Sequence, residues 1–404
     1  MSESYSQPLQ AAFDRLSSDS SQYVPQLVDQ LLSAARDAAA SDIHLIPLEN
    51  RTDLQILWRV DGVLHEVATI PDVATNVVSR LKVLAGLLTY KTDVPQEGRL
   101  QWSDRDVELR LSTFPILSGE KGVVRLFVGS GQYRQLNDLS LPSDVVTELK
   151  RLLTATSGML LVSGPAGSGK TTTLYACLRE TLSSPIVRSV CSLEDPVEAV
   201  IPGVSQSQVR PGQGFDYAVG LRSLVRQDPE VIMVGEIRDR ETAATALQAS
   251  LTGHLILTSF HAGSAAAAVS RLCDMDIESY VLRSGLLAIL SQRLLRILCP
   301  ECRQPSNDPA DAVGLPLDSP WMAPGCPACR QTGYHGRQPV AELLRPDWPA
   351  VGQAILSRSD STVIADHATE AGMQTCFDRA VALAASGETN AAEVRRVFGI
   401  LGEA

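Results

Sequence analysis

The chain has 404 residues, 44% of them hydrophobic and 20% charged, with a formal net charge of −11. This predicts two or three domains with sizeable cores, and the acidic balance argues against a broad nucleic-acid footprint. The N-terminus, MSESYSQPLQ, lacks the basic and apolar regions of a signal peptide. The best apolar run, SGLLAILSQRLLRIL, is interrupted by Arg293 and Arg296 and falls short of the ~18 residues of a membrane helix, so a soluble, cytosolic chain is expected.

Residues 1–22 are polar and Ser-rich and predict a loose tail. YVPQLVDQLLSAARDAAA (23–40) has helical periodicity. DIHLIPL, LQILWRVDG and VLHEVATI then read as short strands, with ENRTD and DG as turns. A helix is expected over 71–89, followed by strands in GRLQWSD, RDVELRLST and GVVRLFVG, with SDRD as a tight turn. Together these make a small α+β domain with a mostly antiparallel sheet. GSGQYRQLNDLSLP (129–142) reads as a linker. Beyond it helix, strand, glycine loop and helix follow, and strands recur in IVRSVCSLED, VIMVGE and HLILTSF, the alternation of a doubly wound parallel α/β domain. Residues 299–345 are rich in Cys and Pro, and 350–404 read as short helices.

Gly164–Thr171, GPAGSGKT, fits the phosphate-loop pattern between a strand, MLLVS, and a helix, TTTLYACLRE. The loop residues are Gly164, Pro165, Ala166, Gly167, Ser168 and Gly169, with the helix start at Thr172; all but Pro165 offer backbone N–H groups to phosphates, and the helix N-terminus adds partial positive charge. Lys170 is expected to reach the β- and γ-phosphates of ATP, and Thr171 to coordinate Mg²⁺. VIMVGEIRD places Glu236 at the end of a buried strand, where such folds need a carboxylate for metal and water. Glu194 and Asp195 end a second strand, SVCSLEDPVE. Cys299, Cys302, Cys326 and Cys329 form two C-x₂-C pairs, which predict a closed, structural Zn²⁺ site. Cys177, Cys191, Cys273 and Cys376 lack such spacing and read as small core residues.

In order and spacing these segments resemble the secretion ATPases of type II secretion and type IV pilus assembly. After the phosphate loop, LEDPVEAVIPGVSQSQV resembles that family's aspartate box, LRSLVRQDPEVIMVGEIRDRETAATALQASLTGH its Walker B box, and TGHLILTSFHAGSAAAAVSRL its histidine box. Upstream, ASDIHLIP, WRVDGVLHEV, PQEGRL and LRLSTFP resemble its second N-terminal domain. The resemblance implies a RecA-like P-loop ATPase domain (143–404) that includes a tetracysteine zinc-binding segment (299–345) and C-terminal helices (346–404). Before it come a tail and helix (1–34), a PAS-like α+β domain (35–130) and a linker (131–142).

By the same resemblance Glu194 is the general-base candidate, Glu236 holds Mg²⁺ and water, His261 senses the γ-phosphate, and His254 lies beside it. Arg99 and Arg110 on adjacent upstream strands, and Arg222 and Arg226 on one helical face, are implied as arginine fingers. His44 in SDIHL matches too and reads equally as a structural histidine. Two places depart from the family pattern: Glu97 stands where the family has Asp, and SFHAG removes two polar side chains after His261. The cysteine segment, which retraction-type motors lack, favours export or extension. A large N-terminal docking domain of longer relatives is expected to be absent or reduced to the 23–40 helix. The implied assembly is a homo-hexamer, peripheral on the cytoplasmic side of the inner membrane, acting through a membrane platform protein and other membrane-anchored secretion components. A nucleic-acid translocase and a non-hydrolysing, nucleotide-gated assembly factor are the alternatives; the first lacks a basic, aromatic-interleaved stretch.

Overall fold

A computed structural model describes residues 20–102, 107–128 and 135–399, together with Leu9, Phe13, Leu16 and Ser17. Most of the expected 1–22 tail, the SDRD turn (103–106) and the start of the linker lie outside the described residues. The chain forms two compact units, one of residues 1–130, 298–303 and 323–336, the other of 131–297, 304–322 and 337–404.

In the first unit, helix α1 (Tyr23–Asp37) buries Leu27, Val28, Leu31, Leu32 and Ala35, a single apolar stripe. Strands β1 (Asp42–Pro47), β2 (Leu54–Val60), β3 (Val63–Ile70), β4 (Gln96–Leu100), β5 (Val107–Ile116) and β6 (Gly119–Val128) form a sheet of order β3-β2-β1-β6-β5-β4. Every pairing is antiparallel. Burial alternates residue by residue along β2, so one sheet face joins the core with α1 and the other stays outward. Helix α2 (Ala74–Leu84) is shorter than the 71–89 expected, because the chain turns off it where the Leu87 N–H bonds the Lys82 carbonyl.

Lys82 is itself 0% exposed. Its ammonium donates to both Glu120 carboxylate oxygens, at 2.8 and 3.0 Å, and to the Lys91 carbonyl at 2.7 Å. Removing one partner of such a pair strands a buried charge. Lys82→Ala is therefore expected to lower stability by about 3–5 kcal/mol, read by urea unfolding, and Lys82→Ala with Glu120→Ala to lower it by less.

The second unit begins with α3 (Ser143–Leu152), β7 (Gly158–Ser163), α4 (Lys170–Leu182), β8 (Val190–Glu194) and β9 (Ser205–Gln208). It continues with α5 (Tyr217–Leu224), β10 (Val231–Val234), α6 (Arg240–Leu251), β11 (Leu255–Phe260), α7 (Ala265–Asp274), α8 (Ser279–Gly285) and β12 (Leu286–Leu298). A short β13 (Gln304–Pro305), β14 (Trp321–Met322) pair precedes β15 (Tyr334–Leu344) and helices α9 (Pro349–Leu356), α10 (Ser361–Glu370), α11 (Cys376–Ala385) and α12 (Ala391–Phe398). The sheet order is β15-β12-β7-β11-β10-β8-β9, and all pairings from β12 to β9 are parallel.

Strands β7, β8, β10 and β11 are buried along their whole lengths, which is why they are mostly apolar; the polar residues within β8 and β11, Ser192, Glu194, Thr258 and Ser259, are themselves buried. Met159 and Leu161 feed the core on one side of the sheet, with α5, α6 and α7. Leu160 and Val162 feed the core on the other, with α3 and α4. Cys177, Cys191 and Cys376 are buried as expected, and Cys273 is half-buried.

The run that had no strand assignment from sequence, 286–298, is the longest strand of the sheet. Arg296 within it pairs with Glu393, a 0% exposed carboxylate that Arg396 also engages. Burial pushes the Glu393 carboxyl up, but the two guanidiniums outweigh it and hold it below the usual range.

Candidate nucleotide site and tetracysteine cluster

In a parallel α/β sheet the loops that leave the C-terminal strand ends share one edge. Here that edge gathers the loop after β7, Glu194 at the end of β8, Glu236 just beyond β10, and His261 immediately after β11. Pro165, Ala166 and Gly167 form the exposed crown of the 164–171 loop, and Thr171 and Thr172 are half-buried in the first turn of α4. No acidic residue occupies that turn, so the positive end of the helix is left uncompensated. Lys170 folds back over the loop and donates to the Gly164 and Pro165 carbonyls, both at 2.9 Å. Burial pushes its ammonium down, and the Glu236 carboxylate pushes it back up.

Glu236 follows the strand by two residues rather than ending it, because Gly235 closes the ladder. The Gly235 N–H donates to Leu193 at 2.8 Å, and its carbonyl accepts from the Ser259 hydroxyl at 2.7 Å. The Glu236 carboxylate is 19% exposed; it accepts from Arg238 and lies 3.4 Å from His261 Nε2. Arg238 also stands 3.5 Å from Asp195, so it joins the acids of two strand ends. Asp239, the last residue of VIMVGEIRD, caps α6 by accepting from the Thr242 N–H at 2.8 Å. The His261 side chain is 47% exposed, and its carbonyl accepts from Arg271.

Glu194 has a different setting. It is 3% exposed and accepts from the Tyr175 hydroxyl at 2.5 Å, the Ser192 hydroxyl at 2.6 Å and the Gln206 amide at 3.0 Å. Burial first, and then the Glu194 charge, push the Tyr175 phenol far above its ordinary value, so it stays a donor. The same phenol oxygen accepts from the Glu198 and Ala199 N–H groups, at 3.1 and 3.4 Å. The three donors come from α4, β8 and β9, and no local pattern in the sequence points to their meeting.

Three expectations need correction or refinement. His254 is not brought to the phosphate loop. Leu255 pairs with Gly158 and Phe260 with Ser163, so His254 sits at the opposite sheet edge, about 20 Å away at the usual strand rise. Its Nδ1 is held there by the Ala249 carbonyl at 3.1 Å. Arg222 and Arg226 do not share one helical face, since α5 ends at Leu224. Arg222 pairs with Glu241, and Arg226 turns back to donate to the Arg222 carbonyl at 2.6 Å. Arg99 and Arg110 do lie on adjacent strands of the first unit, directly opposite each other in register. The register extends this row across the sheet through Arg125, Asp42 and Arg59, of which Arg125 and Arg59 were not singled out in the sequence.

The four cysteines meet. Their sulfurs all lie within 4.8 Å of one another, with Cys299–Cys326 and Cys302–Cys329 at 3.8 Å and Cys326–Cys329 at 3.7 Å. Four sulfurs at the ~2.3 Å zinc–thiolate distance form a tetrahedron with edges of about 3.8 Å, so the donor set fits a tetrahedral ion. Burial pushes the Cys329 thiol up, but N–H groups of Cys326 and Gly333, each 3.2 Å from its sulfur, outweigh this and leave it at about 7. The cysteine-bearing segments 298–303 and 323–336 group with the first unit. Among the described residues no helix is long and apolar enough to cross a membrane.

The family described as Type II/IV secretion system protein matches residues 17–396. The chain is 40% identical over 394 residues to the type II secretion system ATPase E of Vibrio cholerae, covering 95% of this chain and 77% of that protein. It is 38% identical over 381 residues to the protein transport protein HofB homolog of Escherichia coli K12, covering 93% and 81% respectively. The ATPase DotB of Legionella pneumophila has a similar fold, with a TM-score of 0.66 at 19% identity over 94% of this chain and 97% of that one.

Proposed function

The chain belongs to the type II/IV secretion system protein family, and from that premise we propose that it is an ATP-hydrolysing motor powering type II protein secretion or type IV pilus or pseudopilus assembly. The observation that carries the reading is the meeting at one sheet edge of the 164–171 loop, with Lys170 folded over it, and Glu236 just beyond β10, 3.4 Å from His261.

ATP lies on the 164–172 loop, with its phosphates toward the N-terminal end of α4. Lys170 exchanges the Gly164 and Pro165 carbonyls for phosphate oxygens. Thr171 and Glu236 offer the hard oxygen donors that Mg²⁺ prefers, and they would hold it. When bound, Mg²⁺ offsets charge on the transferring phosphoryl group. Glu236 orients the attacking water with His261 beside it. Glu194 frames the site rather than taking the proton, a reversal of the role the family resemblance implied. Its oxygens already serve three donors in a buried setting, whereas Glu236 is partly open. Arg222 and Arg226 are retained as sources of positive charge for the phosphates. The four cysteines hold a structural Zn²⁺. The motor works as a homo-hexamer, peripheral on the cytoplasmic side of the inner membrane, through a platform protein.

Phosphate release by the purified full chain tests the reading. Lys170→Ala is expected to cut turnover about a hundredfold, the typical loss when one transition-state donor is removed. Wild-type protein that binds ATP but releases no phosphate, alone or with the platform protein, would sink it.

A further inference from the structure

Strand β12 continues past the point where β7 stops. Ser291 pairs with Ser163, so Gln292 stands level with Gly164, the first residue of the phosphate loop. Gln292 is 2% exposed, and both ends of its amide are used. Its Oε1 accepts from the Thr173 hydroxyl at 2.9 Å, and its Nε2 donates to the Ser168 carbonyl at 2.6 Å.

The same residue limits both glycines that bracket the loop. A Cβ on Gly164 would stand 2.5 Å from the Gln292 carbonyl oxygen, and a Cβ on Gly169 would stand 3.1 Å from its Nε2. Both glycines also have positive φ, at +147° and +88°. The entrance and the exit of the loop therefore rest on one side chain and one carbonyl of a neighbouring strand.

A phosphate loop works only if its N–H groups point inward. In a planar trans peptide the C=O and N–H point in opposite directions. Holding the Ser168 carbonyl from behind therefore aims the Gly169 N–H into the loop. We propose that Gln292 is a positioning residue for the phosphate loop, which fixes the Ser168–Gly169 peptide in the phosphate-binding orientation. The proposal rests on the nucleotide-binding reading above and deepens it.

Two variants test it in the full chain. Gln292→Glu keeps the shape and the acceptor for Thr173 but turns a carboxylate oxygen against the Ser168 carbonyl. Gln292→Met keeps similar length and removes both hydrogen bonds without adding charge. The readouts are the dissociation constant of a fluorescent ATP analogue, steady-state KM and kcat, and the melting temperature, with wild type and Lys170→Ala alongside.

Both variants are expected to bind the analogue at least about tenfold more weakly and to raise KM in proportion, as for a carbonyl left without its donor. At saturating ATP, kcat is expected to stay within about threefold of wild type. If Gln292→Glu does not fold, Gln292→Met carries the test. Affinity within about twofold of wild type, with or without a lower melting temperature, would overturn the proposal, because a purely structural role lowers stability without selecting for ATP. A fall in kcat at unchanged affinity would also overturn it. Wild-type protein that fails to bind the analogue would instead defeat the nucleotide reading itself.

Discussion

Glu236→Gln is expected to lower ATP turnover by about two to four orders of magnitude, the usual contribution of a positioned general base, while ATP still binds. The substitution keeps the shape beside Arg238 and His261 and removes the charge that Lys170 senses. Glu194→Gln should behave differently. An amide there sets an NH₂ group against donors from Tyr175, Ser192 or Gln206, whichever oxygen it replaces. The expected cost is about 1–3 kcal/mol of stability, seen as a lower melting temperature, with turnover falling less than in Glu236→Gln. Single-turnover hydrolysis on pre-bound ATP separates the two. If Glu236→Gln hydrolyses like wild type and Glu194→Gln does not, the assignment of roles is wrong.

Loss of the tetracysteine ion should have the largest effect on order. Structural zinc in small cysteine sites binds with about 10–16 kcal/mol near neutral pH, and that free energy is folding free energy for the segment it closes. The paired segments 298–303 and 323–336 carry little apolar mass of their own, and their buried residues are Leu298, Cys299, Cys329 and Gly333. One zinc per chain is expected by elemental analysis of the purified protein. Cys299→Ser combined with Cys329→Ser should bring this to zero and remove the hydrogen-exchange protection of the Cys326 and Gly333 amides, which now donate to the Cys329 sulfur. Wild-type protein with four titratable free thiols and no bound metal would refute the site.

The chain also shows which kinds of information sit close together in a sequence. The phosphate loop was legible because strand, glycines, lysine and helix are contiguous. The cysteine pairs were legible because each C-x₂-C is local and thiols at that spacing have few other uses in such a chain. Strands β7, β10 and β11 were legible because burial on both faces leaves them predominantly apolar. Strand β12 was not legible. Arg293 and Arg296 interrupt its apolar run, and their partners are far away in the chain: Arg293 donates to the Gly263 and Val397 carbonyls, and Arg296 to Glu393.

His254 and His261 mark the boundary between the two kinds of knowledge. Seven positions apart in one resemblance box, they look like neighbours in a site. Periodicity established that the residues between them form a buried strand, and motif chemistry marked His261 as a candidate. The strand's own length then sets the two rings at opposite edges of the sheet, and its register with β7 decides which edge holds the phosphate loop. The same holds for the acids. Sequence marked Glu194 and Glu236 as two carboxylates near strand ends. Only the packing of Tyr175, Ser192 and Gln206 around one, and of Lys170, Arg238 and His261 around the other, distinguished them, because hydrogen-bond partners from separate elements meet only after the sheet has formed.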